Sequence, residues 1–322
     1  MKAVRISDAD YPARLRHISS PPQTLYYEGE IPGMDKPAVA IVGSRACSSY
    51  GMEMAKIYAH YLASHGVYII SGMARGIDGE AQRSALLAGE KSFGVLACGV
   101  DICYPRSNYA LYEGLIKQGG IVSEHPPGTQ PLSVFFPSRN RIISGLANLV
   151  LVVEAKEKSG TGYTVRMALE QGREVYAIPG RVTDPMSKGC NRLIAEGAGM
   201  AECPEVVLEA ANHAWQMEKM DEDALNHTRE ISMAKKNARA HVQKAKREEY
   251  IIPTLYERIK GLPGCEQDII TYLLQKERTV DELLDHFSQV YSSVSELLIC
   301  LLQMEQKGYI ENIGGFYFSK VV

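Results

Sequence analysis

Between Pro37 and about Leu208, short apolar runs alternate with amphipathic stretches, and most runs end near a glycine or serine. The runs Val39–Val42, Val67–Ile70, Gly94–Ala97, Leu149–Val153 and Glu174–Ile178 predict strands. Stretches such as Met52–Ser64 and Tyr163–Gln171 carry apolar residues three and four apart and predict helices. Strand–helix alternation of this kind means a parallel sheet covered on both faces. Such a sheet receives its ligand beyond the carboxyl ends of its strands, so the loops that follow the apolar runs are where function is sought.

The rest of the chain has a different character. Residues 1–36 are turn-rich, with Tyr11-Pro12 and Pro21-Pro22 interrupting any long helix, and are expected to form an extension packing on the core of the 37–208 domain. Over 209–262 strands vanish and charge rises, which predicts a charged helical linker. Its basic run 234–247 reads as a solvated face. Residues 263–322 show helical patterns at Asp268–Lys276, Thr279–Phe287 and Ser292–Lys307, with Thr279 and Glu282 spaced as a capping box. Tyr309–Ile313, a Gly314-Gly315 turn and Phe316–Ser319 then predict a hairpin, and three helices plus a hairpin is a winged-helix pattern. The fold class expected is α/β: a parallel-sheet domain followed by a small winged-helix domain.

Composition decides little about partners. The formal net charge is −3, so any nucleic-acid site must come from local clustering of arginine, lysine and backbone amides. The seven cysteines are odd in number, scattered and free of any CxxC pair, which suits reduced thiols. The first residues hold no apolar run that resembles a signal peptide, and no stretch approaches the roughly 20 apolar residues that cross a bilayer. A cytoplasmic location with no membrane partner is expected.

Four segments carry candidate chemistry. Gly43-Ser44-Arg45 follows the first strand and precedes a helix, so it can offer close backbone approach, amides and a forked guanidinium to an anion. Ser71–Asp78 follows the next strand. Gly72 and Gly76 allow left-handed or crowded backbone there, and Asp78 suits a helix N-cap. Phe135–Gly145 reads as a loop in which Arg139 and Arg141 flank Asn140 behind two aromatics, a combination suited to phosphate contact beside base stacking by Phe136. Ser159-Gly160-Thr161-Gly162 can donate hydroxyls and amides to phosphate, or serve only as a flexible turn.

The chain lacks GxxxxGK[ST] and a well-formed GxGxxG after its first strand. Cys98 and Cys103 have no histidine at ligand spacing, and no nucleophile–base pair can be assembled. No catalytic residue, metal or cofactor is assigned.

The motifs run in a distinctive order. YPxxLxxI (Tyr11–Ile18) and Leu25–Gly29 precede VAIVGSR (Val39–Arg45) and SGMARGID (Ser71–Asp78). GVDICYP (Gly99–Pro105), FPSRNRIISGL (Phe136–Leu146), VEA (Val153–Ala155), GREVYAIPG (Gly172–Gly180) and KGCNRLIAEGA (Lys188–Ala198) follow. This series resembles the DNA-processing protein A family, also called DprA or Smf, over roughly residues 10 to 200. The resemblance implies an extended Rossmann-like domain that binds single-stranded DNA, protects it and loads RecA recombinase in natural transformation, without being an enzyme. It implies phosphate contacts at Gly43, Ser44, Arg45, Gly72, Arg139, Asn140 and Arg141, a base or apolar contact at Phe136, and a further pocket at Ser159, Gly160 and Thr161. It also implies a homodimer with Leu193 and Ile194 near the interface. The chain departs from the family's usual SGSLxTA at Ser159–Val165. Arg45→Ala and Arg139→Ala are both expected to weaken single-strand binding with the fold intact.

Two other functions compete. A nucleotide phosphoribohydrolase-like enzyme shares the sheet architecture, but its PGGxGTxxxE pattern is broken here by Lys158-Ser159 before Gly160 and by the distance to Glu170. A transcription factor would use the tail, yet the third tail helix carries Glu296 and Glu305 with only Lys307 near its end.

Overall fold

A computed structural model describes residues 1–157, 159–220 and 259–320. The chain divides into two compact units, Met1–Asp223 and Ala224–Val322.

The first unit is built on a nine-stranded sheet. Its strands are β1 (Lys2–Arg5), β2 (Thr24–Gly29), β3 (Ala38–Val42), β4 (Tyr68–Ser71), β5 (Ser92–Val95), β6 (Gly119–Ser123), β7 (Leu149–Val152), β8 (Glu174–Ala177) and β9 (Gly199–Met200). They lie in the order β1-β2-β6-β5-β4-β3-β7-β8-β9. From β6 to β9 every neighbouring pair is parallel. The runs expected as strands became β3, β4, β5, β7 and β8.

Alternation along each central strand feeds two separate cores, as a sheet covered on both faces requires. In β3, Ala38, Ala40 and Val42 join one core while Val39 and Ile41 join the other. Helices α2 (Ser49–Ser64) and α3 (Ile77–Leu87) cover the second face through Ala55, Leu62, Ile77 and Ala81. Helices α5 (Phe135–Leu146) and α6 (Thr161–Glu170) cover the first through Ile142, Leu146, Val165 and Ala168. Around them lie α1 (Ala13–Arg16), α4 (Tyr109–Lys117) and α7 (Lys188–Ala195).

The sheet is not wholly parallel. Residues 1–36, expected as a turn-rich extension, supply β1 and β2, which pair antiparallel with each other and with β6. Strand β6 itself went unforeseen because its Gly119-Gly120 start looks like a turn. A Cβ at Gly119 would lie 2.0 Å from the Ser92 carbonyl oxygen and one at Gly120 would lie 2.0 Å from that of Glu30, so only glycine lets β6 slot between β5 and the β2 end.

At the other end, residues 204–220 form one helix, α8, that runs past the expected boundary at 208. Val207 and Ala211 are fully buried in the second core, which makes 209–220 part of this unit rather than linker. The basic run 234–247 lies outside the described residues.

The second unit has α9 (Gly264–Leu273), β10 (Arg278–Thr279), α10 (Val280–His286), α11 (Val294–Gln306), β11 (Ile310–Ile313) and β12 (Phe316–Ser319). Its strands lie in the order β10-β12-β11, and Ile270, Leu283, Leu297, Leu301 and Met304 fill its core. Thr279 and Glu282 form a reciprocal capping box at the start of α10.

Candidate nucleic-acid interface

The carboxyl ends of β3, β4, β5 and β7 open onto a cavity of about 570 Å³. After β3, the turn contributes Gly43, Ser44 and Arg45; after β7, Ser159, Gly160 and Thr161 face them. Phe136, Arg139 and Asn140 enter from the start of α5, Asp78 from the start of α3 and Tyr104 from the loop after β5. The structure thus gathers most of the sequence-selected residues round one opening, but not Gly72 or Arg141.

Glycine at position 43 is set by close approach. A Cβ there would meet the Ile77 side chain at 2.6 Å and the Glu154 carbonyl oxygen at 3.0 Å. The Ser44 amide donates to the Glu154 carbonyl at 2.9 Å, so it is not the free anion donor that the sequence suggested. What the turn presents is the Ser44 hydroxyl, which accepts from the Ala46 amide at 3.2 Å and keeps its own proton to donate, and the exposed Arg45 side chain. Glu154 braces the whole turn. It is 1% exposed, and its carboxylate accepts from the Ser48 amide at 2.8 Å and the Ser48 hydroxyl at 2.6 Å.

The segment expected as a loop around Arg139 is helical, and this changes what its residues do. Successive positions on a helix point about 100° apart, so Arg139, Asn140 and Arg141 cannot share one face. Arg139 points inward and is 3% exposed. Its Nη1 donates to the Gly72 carbonyl at 3.0 Å and to the Val95 carbonyl, which ties α5 to the ends of β4 and β5. Burial lowers its pKa to about 10, with Asp78 opposing the shift, so the guanidinium stays charged at neutral pH. Arg139 is therefore a buried cation in the cavity floor, and its removal is expected to cost stability.

Gly72 belongs to the same support. Its amide donates to Asp78 Oδ2 at 3.2 Å, and a Cβ would lie 2.6 Å from Arg139 Nη2 and 2.8 Å from Asp78 Oδ2. It is a wedge between two charged groups, with its amide already bonded to Asp78. Asp78 is not the N-cap, a place taken by Gly76 at φ 73°. It sits in the first turn of α3, 7% exposed, with its pKa raised by burial and held back by Arg139 and the Gly72 amide.

Arg141 faces the other way. Its Nη1 and Nη2 donate to the two Glu124 carboxylate oxygens at 2.8 and 2.7 Å, and its Nε donates to the Ser20 carbonyl at 2.9 Å. It fastens the N-terminal segment and lies outside the cavity. Burial pushes the Glu124 carboxyl up, but Arg141 outweighs it and holds the pKa below the ordinary value. A depressed folded-state pKa means stability that is full above about pH 4.3 and lost as pH falls through the folded value. Glu124→Gln should cost about 1 kcal/mol near neutral pH, with the gap to the parent protein closing below about pH 4.3. Thermal melts across that range check it.

At the cavity mouth, Phe136 has a cation and a tilted ring beside it. The Arg45 guanidinium lies 5.0 Å from its centroid, and the Tyr104 ring centroid lies 5.6 Å away. Tyr104 was not assigned a role from the sequence, although it lies in the GVDICYP motif, whose aromatic ahead of a proline was the available signal. Leu193 and Ile194, on α7, are partly buried against the first core. Leu193 also lines a second groove with Val165, Leu169 and Tyr176.

Comparison with known proteins was consistent over the first unit. Protein Smf of Escherichia coli (strain K12) is 46% identical over 200 residues, covering 62% of this chain and 54% of that protein. The chain therefore spans about half the length of that relative. DNA processing protein DprA of Streptococcus pneumoniae is 42% identical over 203 residues, covering 63% of this chain and 72% of that protein. The X-ray structure of the S. pneumoniae protein superposes with a TM-score of 0.62 at 41% identity, over 65% of this chain and 73% of that one. DNA processing protein A of Helicobacter pylori, solved for its single-stranded DNA binding mode, superposes with a TM-score of 0.59 at 27% identity, over 65% of this chain and 95% of that one. The profile of the DNA recombination-mediator protein A family matches residues 2–212, and the chain belongs to that family.

Proposed function

We propose that the protein binds single-stranded DNA in the cavity at the strand ends, protects it, and delivers it to RecA recombinase during DNA uptake, without breaking a bond. The observation that carries this is the stack of Arg45 on Phe136 at the mouth of a cavity floored by the buried Arg139 cation. A guanidinium beside an aromatic ring can serve a phosphate and a base at once. A duplex keeps its bases paired and stacked, so it can offer this site only its backbone. A single strand can turn a base onto Phe136.

The Arg45 side chain is exposed and, among the described residues, makes no hydrogen bond or ion pair. Arg45→Ala should weaken oligonucleotide binding about tenfold, the scale of a charge-assisted contact, and reduce the log–log salt slope by about 0.7. Gel shift with single- and double-stranded oligonucleotides at two salt concentrations, with and without RecA, measures both. Unchanged binding and slope would remove Arg45 from the site.

The same reading makes the protein a cytosolic homodimer joined near Leu193 and Ile194, with the second unit a winged-helix module for protein contact. Among the described residues no helix is long and apolar enough to cross a membrane. The enzymatic alternative, hydrolysis of nucleoside monophosphates, is decided by looking for released base.

A further inference from the structure

Two tyrosines flank the cavity outside the phosphate-facing turn. Tyr104 comes from the loop after β5, and Tyr163 from the first turn of α6 after β7. The sheet order β5-β4-β3-β7 sets these two strands three spacings apart, roughly 14 Å, with the Gly43–Arg45 turn leaving β3 between them. Both line the cavity, yet Tyr104 is 44% exposed and Tyr163 50% exposed. Each belongs to a cluster of ring and guanidinium. Tyr104 leans on Phe136, which carries Arg45, and Tyr163 carries the Arg166 guanidinium 5.8 Å from its centroid.

The rings are held before any ligand arrives. In the Tyr104 loop, Asp101 accepts from the Gly128 amide at 2.9 and 3.0 Å, the Gly99 amide donates to the Thr129 carbonyl at 2.9 Å, and the Val100 carbonyl accepts from the Tyr112 hydroxyl at 2.7 Å. On α6, Thr161, Thr164 and Val165 are buried, which turns Tyr163 outward to the cavity mouth. A preset ring loses little freedom when a base stacks on it.

We propose that Tyr104 and Tyr163 are base-stacking stations on either side of the phosphate-binding turn. The bound strand then crosses the strand ends of the sheet with a nucleobase against each ring. The strands that carry the rings lie roughly 14 Å apart, several times the 3.4 Å per nucleotide of a stacked strand, so non-adjacent bases are assigned to them. This rests on the single-strand-binding function proposed above and adds where the bases go.

The test compares the full chain with Tyr104→Ala, Tyr163→Ala and the two phenylalanine variants, on oligothymidylate and on an abasic oligomer with the same backbone. Each alanine variant should lose about tenfold in affinity for oligothymidylate and nothing on the abasic oligomer, while each phenylalanine variant binds like the parent. Circular dichroism confirms that the variants fold. Parent-like binding of oligothymidylate by the alanine variants overturns the stacking assignment alone, as does an equal loss on the abasic oligomer. Failure of the parent protein to prefer single strands over duplex overturns the binding function itself.

Discussion

Arg139→Ala is expected to destabilise the first unit by about 3–5 kcal/mol, the cost of breaking a buried charged network from one side. The substitution strips a hydrogen-bond donor from the Gly72 and Val95 carbonyls and leaves Asp78 in a buried site without its nearby cation. It also opens a void under Phe136, whose centroid lies 6.0 Å from the guanidinium. Arg139→Lys keeps the charge but loses the planar fork, and should fall between the two. Urea unfolding followed by circular dichroism reads the midpoint shift, and an unchanged midpoint for the alanine variant would show that Arg139 is not structural. Arg45→Ala, by contrast, should melt like the parent while losing DNA. The pair separates two arginines that look alike in sequence: one is buried in the floor of the cavity and the other is exposed at its mouth.

The second large effect lies far from the cavity, where α8 closes on the sheet. Three side chains converge on the Glu218 carboxylate: Arg14 at 2.7 Å, Asn148 at 2.8 Å and Arg173 at 3.2 Å. Arg14 is 3% exposed and also donates to the carbonyls of Gly33, Leu146 and Lys36, so it joins the N-terminal segment, α5 and the edge of β3. Glu218→Ala leaves two guanidinium groups without their anion, one of them fully enclosed. It should cost about 3–5 kcal/mol and lower Tm by roughly 10 °C. Combining Arg14→Met with Glu218→Leu should recover part of that loss, because the uncompensated buried charge is then gone. A double variant no better than Glu218→Ala would mean that helix contact and not charge sets the cost. DNA binding per folded molecule should be unaffected in either case.

Glu154 shows how a residue can serve the site without touching a ligand. Its side chain holds Ser48 and its carbonyl holds Ser44, so both ends of the Gly43–Ser48 turn hang from one residue at the end of β7. Gly51 is glycine because a Cβ would lie 2.4 Å from Glu154 Oε2. The VEA motif, apparent in the sequence without a role, is the clamp that shapes the Gly43–Ser48 turn.

The sequence by itself determined the architecture of the central sheet. Short unbroken apolar runs such as Val39–Val42 and Leu149–Val153 mark strands buried on both faces, whose successive residues go to opposite cores, and such runs are local and therefore readable. Glycine and arginine after the strands likewise marked residues that the fold gathers round the cavity at the strand ends. What only the tertiary structure decided was direction and depth. The stretch around Arg139 has the composition of a binding loop, but its packing against β4 and β5 winds it into a helix that buries Arg139 and sends Arg141 to Glu124. Strands β1, β2 and β6 were invisible because their pairing partners lie far along the chain and their glycines answer to those partners, not to a local turn. A side chain's neighbours in sequence set its conformation, but its charge and exposure are set by partners brought from a distance.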